Sequence, residues 1–210
     1  NVEAICHVAL VETGARSEAA FDLNVMGTMK VFGAAAAAGV KKIVFKSSTM
    51  VYGARPENSA FLTEEHSLAS GALDALTGQF VELEAFCNGF RGQNPGIALT
   101  VLRFPNIVGP TADTPFVRFL RLPVPPFLMG FDPMMQLVHE EDVVDALMHA
   151  LFSQVAGTVN VAAEDVLPLS RVLGLAGKIG VPIFHLAAYW GNPMLRNLGL
   201  PVRRLWPISL

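Results

Sequence analysis

Four short apolar runs, EAICHVAL, VKKIVFKSS, IALTVLRF and GTVNVAA, punctuate this chain, and long stretches with helical periodicity separate the first three. Continuous runs of this kind suit strands buried on both faces. The order strand, helix, strand, helix, strand predicts an α/β fold with a parallel sheet and right-handed crossovers. The first helix runs through EAAFDLNVMGTMKVFGAAAAAG, capped by Ser17 and ended by Gly39 at a C′ position. The second extends from about Gly71 to Gly92. After the third strand, NIVGPTADTP breaks the rhythm and FVRFLRLPVPPFLMGFDPMMQ is a Pro-rich excursion. LVHEEDVVDALMHALF then reads as a short strand and a helix, DVLPLSRVLGLAGKIG as helix, and the apolar tail from His185 as a segment that needs a partner surface.

Several classes of function fall away on composition. With 52% hydrophobic and 16% charged residues in 210, the chain is globular and long enough to bury a sizeable core. Its net charge of -3, without a Lys/Arg cluster, argues against nucleic acid or a membrane surface as partner. The longest near-apolar run, VFGAAAAAGV, is far short of the roughly 20 residues of a membrane span. The opening NVEAICHVAL has no initiator Met, basic region or cleavage site, so a piece of a longer protein without a signal peptide is expected. Cys6 and Cys87 form neither a metal spacing nor a disulfide framework, which suits a reducing, cytoplasmic setting.

The pieces HVA, NVMGT from Asn24, AAAAAGVKKIVFKSSTMVYG, VLRFPNIVGP, LVHEEDVVDAL and GTVNVAAED, in this order and spacing, resemble the NAD-dependent epimerase/dehydratase family, the extended short-chain dehydrogenase/reductases. The resemblance reaches to about Asp165. It implies a partial Rossmann-type sheet with flanking helices over residues 1–112, rejoined by 136–164, and a small substrate-side lobe from 113–135 and 165–210. It also implies an oxidoreductase using NAD or NADP on a nucleotide sugar or another hydroxyl/keto substrate, and a homodimer packed through helix 71–92.

Two departures qualify that implication. No glycine-rich turn of the kind that admits a pyrophosphate occurs among the 18 glycines, and the first strand corresponds to the family's fourth, so weak or absent dinucleotide binding is expected of this chain. The family's Tyr-x-x-x-Lys is also missing: Tyr52 is followed four residues on by Pro56, and Tyr189 by Pro193. Aligning LTGQFVELEAF through Glu84 puts Leu76 at the Tyr position and Phe80 at the Lys position, and neither moves a proton. The alternative is a non-catalytic regulatory or interaction protein that kept the fold.

The resemblance marks Ser48 as the catalytic serine, against the plain reading of a strand-end hydroxyl satisfying a loop. Asn24 matches the helix Asn of a proton path, against a mid-helix Asn bonded to backbone. Val8, Ala9, Ser47 and Pro105 would border the cofactor, and Thr49, Met50 and Asn106 the substrate. His7 reads as a strand-end histidine. His139 with Glu140, Glu141 and Asp142 has the wrong spacing for a closed metal site, and no metal is expected. Met134 and Met135 suit either an adaptable pocket or ordinary packing.

Overall fold

In a computed structural model the described residues are 2–12, 18–53, 58–59, 61–71 and 75–183. They divide into two compact units: Asn1–Gly53, Ser59–Pro105 and Glu141–Val161 form the first, and Ala54–Asn58, Asn106–Glu140 and Ala162–Leu210 the second. Residues 106–112, 136–140 and 162–164 therefore fall in the second unit, whereas the sequence reading placed them with the sheet. Their strands pair with each other and not with the main sheet.

The first unit is built on a four-stranded parallel sheet ordered β1-β2-β3-β7, from β1 (Ala4–His7), β2 (Lys42–Ser48), β3 (Ala98–Phe104) and β7 (Gly157–Asn160). These are the four apolar runs of the sequence. Alternate residues of β2 and β3 are buried on both faces: Ile43, Phe45, Leu99 and Val101 on one side, Val44, Thr100 and Leu102 on the other. The first set joins Phe32, Leu83, Cys87 and Phe90 in one core, so two helices cover that face. Each fully buried Phe, Ile or Leu contributes about 1.5–3 kcal/mol of transfer free energy, which is what fixes the register.

The helix between β1 and β2 is not uniform. α1 (Glu18–Phe21) passes through a π turn, Asp22–Met26, into α2 (Gly27–Ala37). The widening is centred on Asn24, whose carbonyl also accepts the Thr28 hydroxyl at 2.5 Å, a local bond that competes with the regular helical ladder. Gly39, at φ 71, ends α2 as expected, while the proposed cap Ser17 lies outside the described residues. α3 (Ala75–Gln93) follows the serine turn, and α5 (Glu140–Phe152) precedes β7.

The second unit has β4 (Asn106–Val108) parallel to β6 (Met134–His139), which pairs antiparallel with β8 (Val166–Pro168). A separate pair joins β5 (Pro126–Leu128) to β9 (Val181–Ile183). Thr114 caps α4 (Pro115–Leu120) through the Val117 N–H, with Pro115 at its first turn. Phe116 and Phe119 of α4 pack with Met135 and with Leu169, Val172 and Leu173 of α6 (Leu169–Leu175). The helix expected from Asp165 thus begins only at Leu169: residues 166–168 pair with β6, because Pro168 has no N–H for a helix interior and sits at the extended cap. The tail from His185 lies outside the described residues.

Candidate functional site

The two serines ending β2 point to opposite faces, as strand alternation requires. Ser47 is fully buried and its hydroxyl donates to Glu84 Oε1 at 2.5 Å. That bond uses the group named above as a cofactor contact. Ser48 is half-buried and caps the 3-10 turn Thr49–Tyr52, accepting the Met50 N–H at 3.2 Å. Accepting one N–H leaves its own proton to be donated. Gly53 closes the turn at φ 67, returning its N–H to Met50 O at 2.9 Å, a conformation that any side chain would strain.

Behind the turn lies a buried polar network that sequence reasoning missed. Glu84 of α3 forms an ion pair with Arg103 of β3, their side chains 2% and 5% exposed. Arg103 Nη1 donates to the Tyr52 hydroxyl at 2.6 Å and to Glu64 O at 3.3 Å. The Tyr52 hydroxyl lies 2.7 Å from Asn160 Oδ1 and 3.1 Å from Thr63 O. Asn160, the last residue of β7, also donates from its amide to Leu62 O and from its backbone N–H to Glu64 Oε1. That backbone N–H is the main reason the Glu64 carboxyl sits below its ordinary range. The loop 62–66 is therefore tied across the carboxyl ends of β3 and β7. Since Glu84 lies on α3 and Arg103 on β3, 19 residues apart, the only sequence signal was two charged residues inside otherwise apolar patterns.

The remaining candidates of this unit are less alike than their shared assignment suggested. Asn24 is buried; its Oδ1 accepts the Val11 N–H at 2.8 Å, and its Nδ2 donates to Val11 O at 3.0 Å and to Gln79 Oε1 at 2.8 Å. Its amide thus ties the segment after β1 to α3. Val8 and Ala9 are exposed just beyond β1. Thr49 and Met50 are half-buried, and Met50 packs against a cluster of Val51, Tyr52, Leu76 and Phe80. Leu76 and Phe80 are 4% and 2% exposed, so apolar packing fills both positions. Lys46, two residues before Ser48, donates to Glu12 Oε1 at 2.6 Å. His7 is buried, stacked on Phe45 and bonded to Thr28 Oγ1 at 2.8 Å; burial lowers its pKa. Pro105 is half-buried at the end of β3.

In the second unit Asn106 opens β4 opposite Leu137. Glu140 accepts the N–H and the hydroxyl of Thr111 at 3.0 and 2.9 Å, its pKa lowered first by the Thr111 backbone bond. The Glu140 carboxyl lies close over Gly109, where a Cβ would stand 2.3 Å from Glu140 Cδ and would displace that side chain. Met135 is core, whereas Met134 is 60% exposed. Among the described residues no group of three or more His, Cys, Asp and Glu side chains converges for a metal ion, and no helix is long and apolar enough to cross a membrane.

Residues 1–162 match the sequence profile of the NAD dependent epimerase/dehydratase family. An uncharacterised protein of Mycobacterium tuberculosis (strain ATCC 25618 / H37Rv) is 35% identical over 187 residues, which are 87% of this chain and 50% of the relative. The UDP-glucose 4-epimerase of Klebsiella pneumoniae is 42% identical over 60 residues, 27% of this chain and 43% of that protein. Among solved structures, the UDP-N-acetylglucosamine 4-epimerase of Methanobrevibacter ruminantium in complex with UDP-N-acetylmuramic acid superposes with a TM-score of 0.72 at 20% identity, covering 87% of this chain and 63% of that one. The UDP-glucose 4-epimerase of Thermus thermophilus in complex with NAD gives 0.71 at 23% identity, covering 87% and 65%. The chain thus spans about half the length of the mycobacterial relative it matches.

Proposed function

Because the chain belongs to the NAD dependent epimerase/dehydratase family, we propose that it is an epimerase/dehydratase-type oxidoreductase domain that holds a nucleotide sugar, or another hydroxyl/keto substrate, against the serine turn at Ser48 and works with NAD or NADP. The observation that carries this reading is the turn itself: Ser48 stands at the carboxyl end of a central parallel strand, its hydroxyl oriented by the Met50 N–H. Ligands of open α/β sheets bind at such strand ends. In this reading Ser48 donates to a substrate oxygen, Thr49 and Met50 line the same side, and Asn24 acts by fixing the segment through Val11. Val8 and Ala9, exposed beyond β1, fit a wall beside a flat ligand. A dimer through α3 completes the assembly.

Acid–base chemistry fits less well. Leu76 and Phe80 offer neither a proton nor a cation, and their burial leaves no polar group of α3 in those two positions. Family-type turnover by this chain is therefore slow at most, and dinucleotide binding weak. The same burial favours a second reading, a binding or regulatory domain that kept the fold and lost the chemistry.

Calorimetric titration with UDP-glucose, NADH and NADPH, together with NAD(P)H absorbance under a panel of sugar nucleotides and alcohols, tests both. Saturable sugar-nucleotide binding with slow turnover that Ser48→Ala abolishes supports the first reading. Binding without turnover supports the second. Robust turnover that survives Ser48→Ala, or a low-micromolar dissociation constant for NADH, overturns the site as described.

A further inference from the structure

We infer that Lys46 is the cationic group of this site, and that it takes a diphosphate oxygen of the ligand from the position now held by the Glu12 carboxylate. The inference rests on the reading that the site takes a nucleoside diphosphate, the chemistry shared by nucleotide sugars and nicotinamide dinucleotides. Alternation along β2 puts Lys46 on the face of Ser48, about 7 Å away along the strand and opposite the buried face of Ser47 and Glu84. A lysine stem spans that separation. At β3 and β7 the carboxyl edge of the sheet is covered by loop 62–66, tied down by Tyr52, Arg103 and Asn160. At β1 and β2 it carries the exposed Val8 and Ala9, the serine turn and the Lys46–Glu12 pair.

The pair has the character of a place-holder. The side chains of Lys46 and Glu12 are 15% and 26% exposed, so the pair is mostly buried yet still open to solvent at its edge. A diphosphate carries more charge than one carboxylate and offers more acceptor oxygens, so exchanging Glu12 for it strengthens the bond to the ammonium. The released carboxylate returns to solvent at small cost. Glu12 also holds the ammonium in place before the ligand arrives.

The test is calorimetric titration of the whole chain with UDP-glucose, NADH and inorganic pyrophosphate, for wild type, Lys46→Gln, Lys46→Arg and Glu12→Gln, with thermal melts to show that each variant folds. Lys46→Gln should weaken every ligand that binds by about tenfold and flatten the salt dependence. Lys46→Arg should retain most of the affinity, and Glu12→Gln should tighten binding about two- to fivefold by removing the competing carboxylate. A merely structural pair gives the same sign for both partners. Unchanged affinity in Lys46→Gln, weaker binding in Glu12→Gln, or no binding of any probe by wild type overturns the inference. Wild-type binding of UDP-glucose that ignores Lys46 leaves the functional reading standing. Lys46-dependent binding of pyrophosphate without either nucleotide sinks that reading and keeps the cation site.

Discussion

Arg103 grips Glu84 through three hydrogen bonds, with Nε 3.0 Å from both carboxylate oxygens and Nη2 2.5 Å from Oε2, on the face of the sheet that α3 covers. The Ser47 hydroxyl completes the carboxylate's shell at 2.5 Å, so the pair is desolvated but fully bonded. Removing one partner strands the other without water, at about 3–5 kcal/mol, whereas replacing both by apolar groups removes the burden of two buried charges. Urea unfolding of Glu84→Leu, Arg103→Met and the double variant should therefore give two severe single losses and a double loss well below their sum. Additive losses would show that the two side chains act independently.

A second prediction concerns acid. His7 is held between Phe45, Phe32 and Thr28, and burial depresses its pKa below the ordinary 6.5. Below pH 6.5 the unfolded chain takes up this proton more readily than the folded one, so unfolding free energy falls as pH drops and levels off only below the folded pKa. Lowered carboxylates such as Glu64 and Glu140 act in a separate window, below about pH 4.5. Urea midpoints measured between pH 7.5 and 5 should decline for wild type and stay flatter for His7→Gln. An equal slope in the variant would assign the decline to another group.

What was legible in the sequence followed from period and punctuation. The apolar runs around Ile43 and Val101 have no helical period and are bounded by Gly39 and by polar turns, so their strand character survived every tertiary influence. The role of Glu84 was not legible, because a glutamate on a helix reads as solvent-facing until its partner on a strand 19 residues away is known. The division between Ser47 and Ser48 was equally hidden: adjacent serines look alike in sequence, and only the side on which α3 packs decides which one is buried. Segment 166–168 was misread as helix because β6, its partner, lies some 30 residues earlier, and local periodicity carries no information about it.

The edge of the main sheet leads to a third prediction. Strand β1 is bonded to β2 along one side, and among the described residues no strand pairs with its other side. Val2 and Val8 flank it at 62% and 46% exposure, and an open apolar edge templates association. Light scattering of the isolated chain should show concentration-dependent oligomers larger than a dimer. Cys6→Lys, which puts a charge at an exposed position of that strand, should suppress them without lowering the melting temperature by more than a few degrees. A wild-type monomer at all concentrations would mean that another segment covers the edge.

The final prediction asks whether the lost proton-transfer pair can be rebuilt. Leu76 and Phe80 lie one turn apart on α3 and pack into the same cluster as Met50 and Val51, which places them beside the serine turn. Phe80→Lys alone buries an ammonium among apolar side chains, and the variant should be destabilised by a few kcal/mol. Leu76→Tyr alone should fold but do little, since a phenol without a neighbouring cation keeps a pKa near ~10. In the double variant the phenol gives the ammonium a partner and the ammonium lowers the phenol's pKa, so stability should partly recover while acid–base assistance returns. That assistance is worth about 10²- to 10⁴-fold in rate, so NAD(P)H-linked turnover should rise above wild type by a factor in that range and vanish again when Ser48→Ala is added. A double variant that folds, binds UDP-glucose as wild type does and shows no gain would place the reacting atoms away from α3.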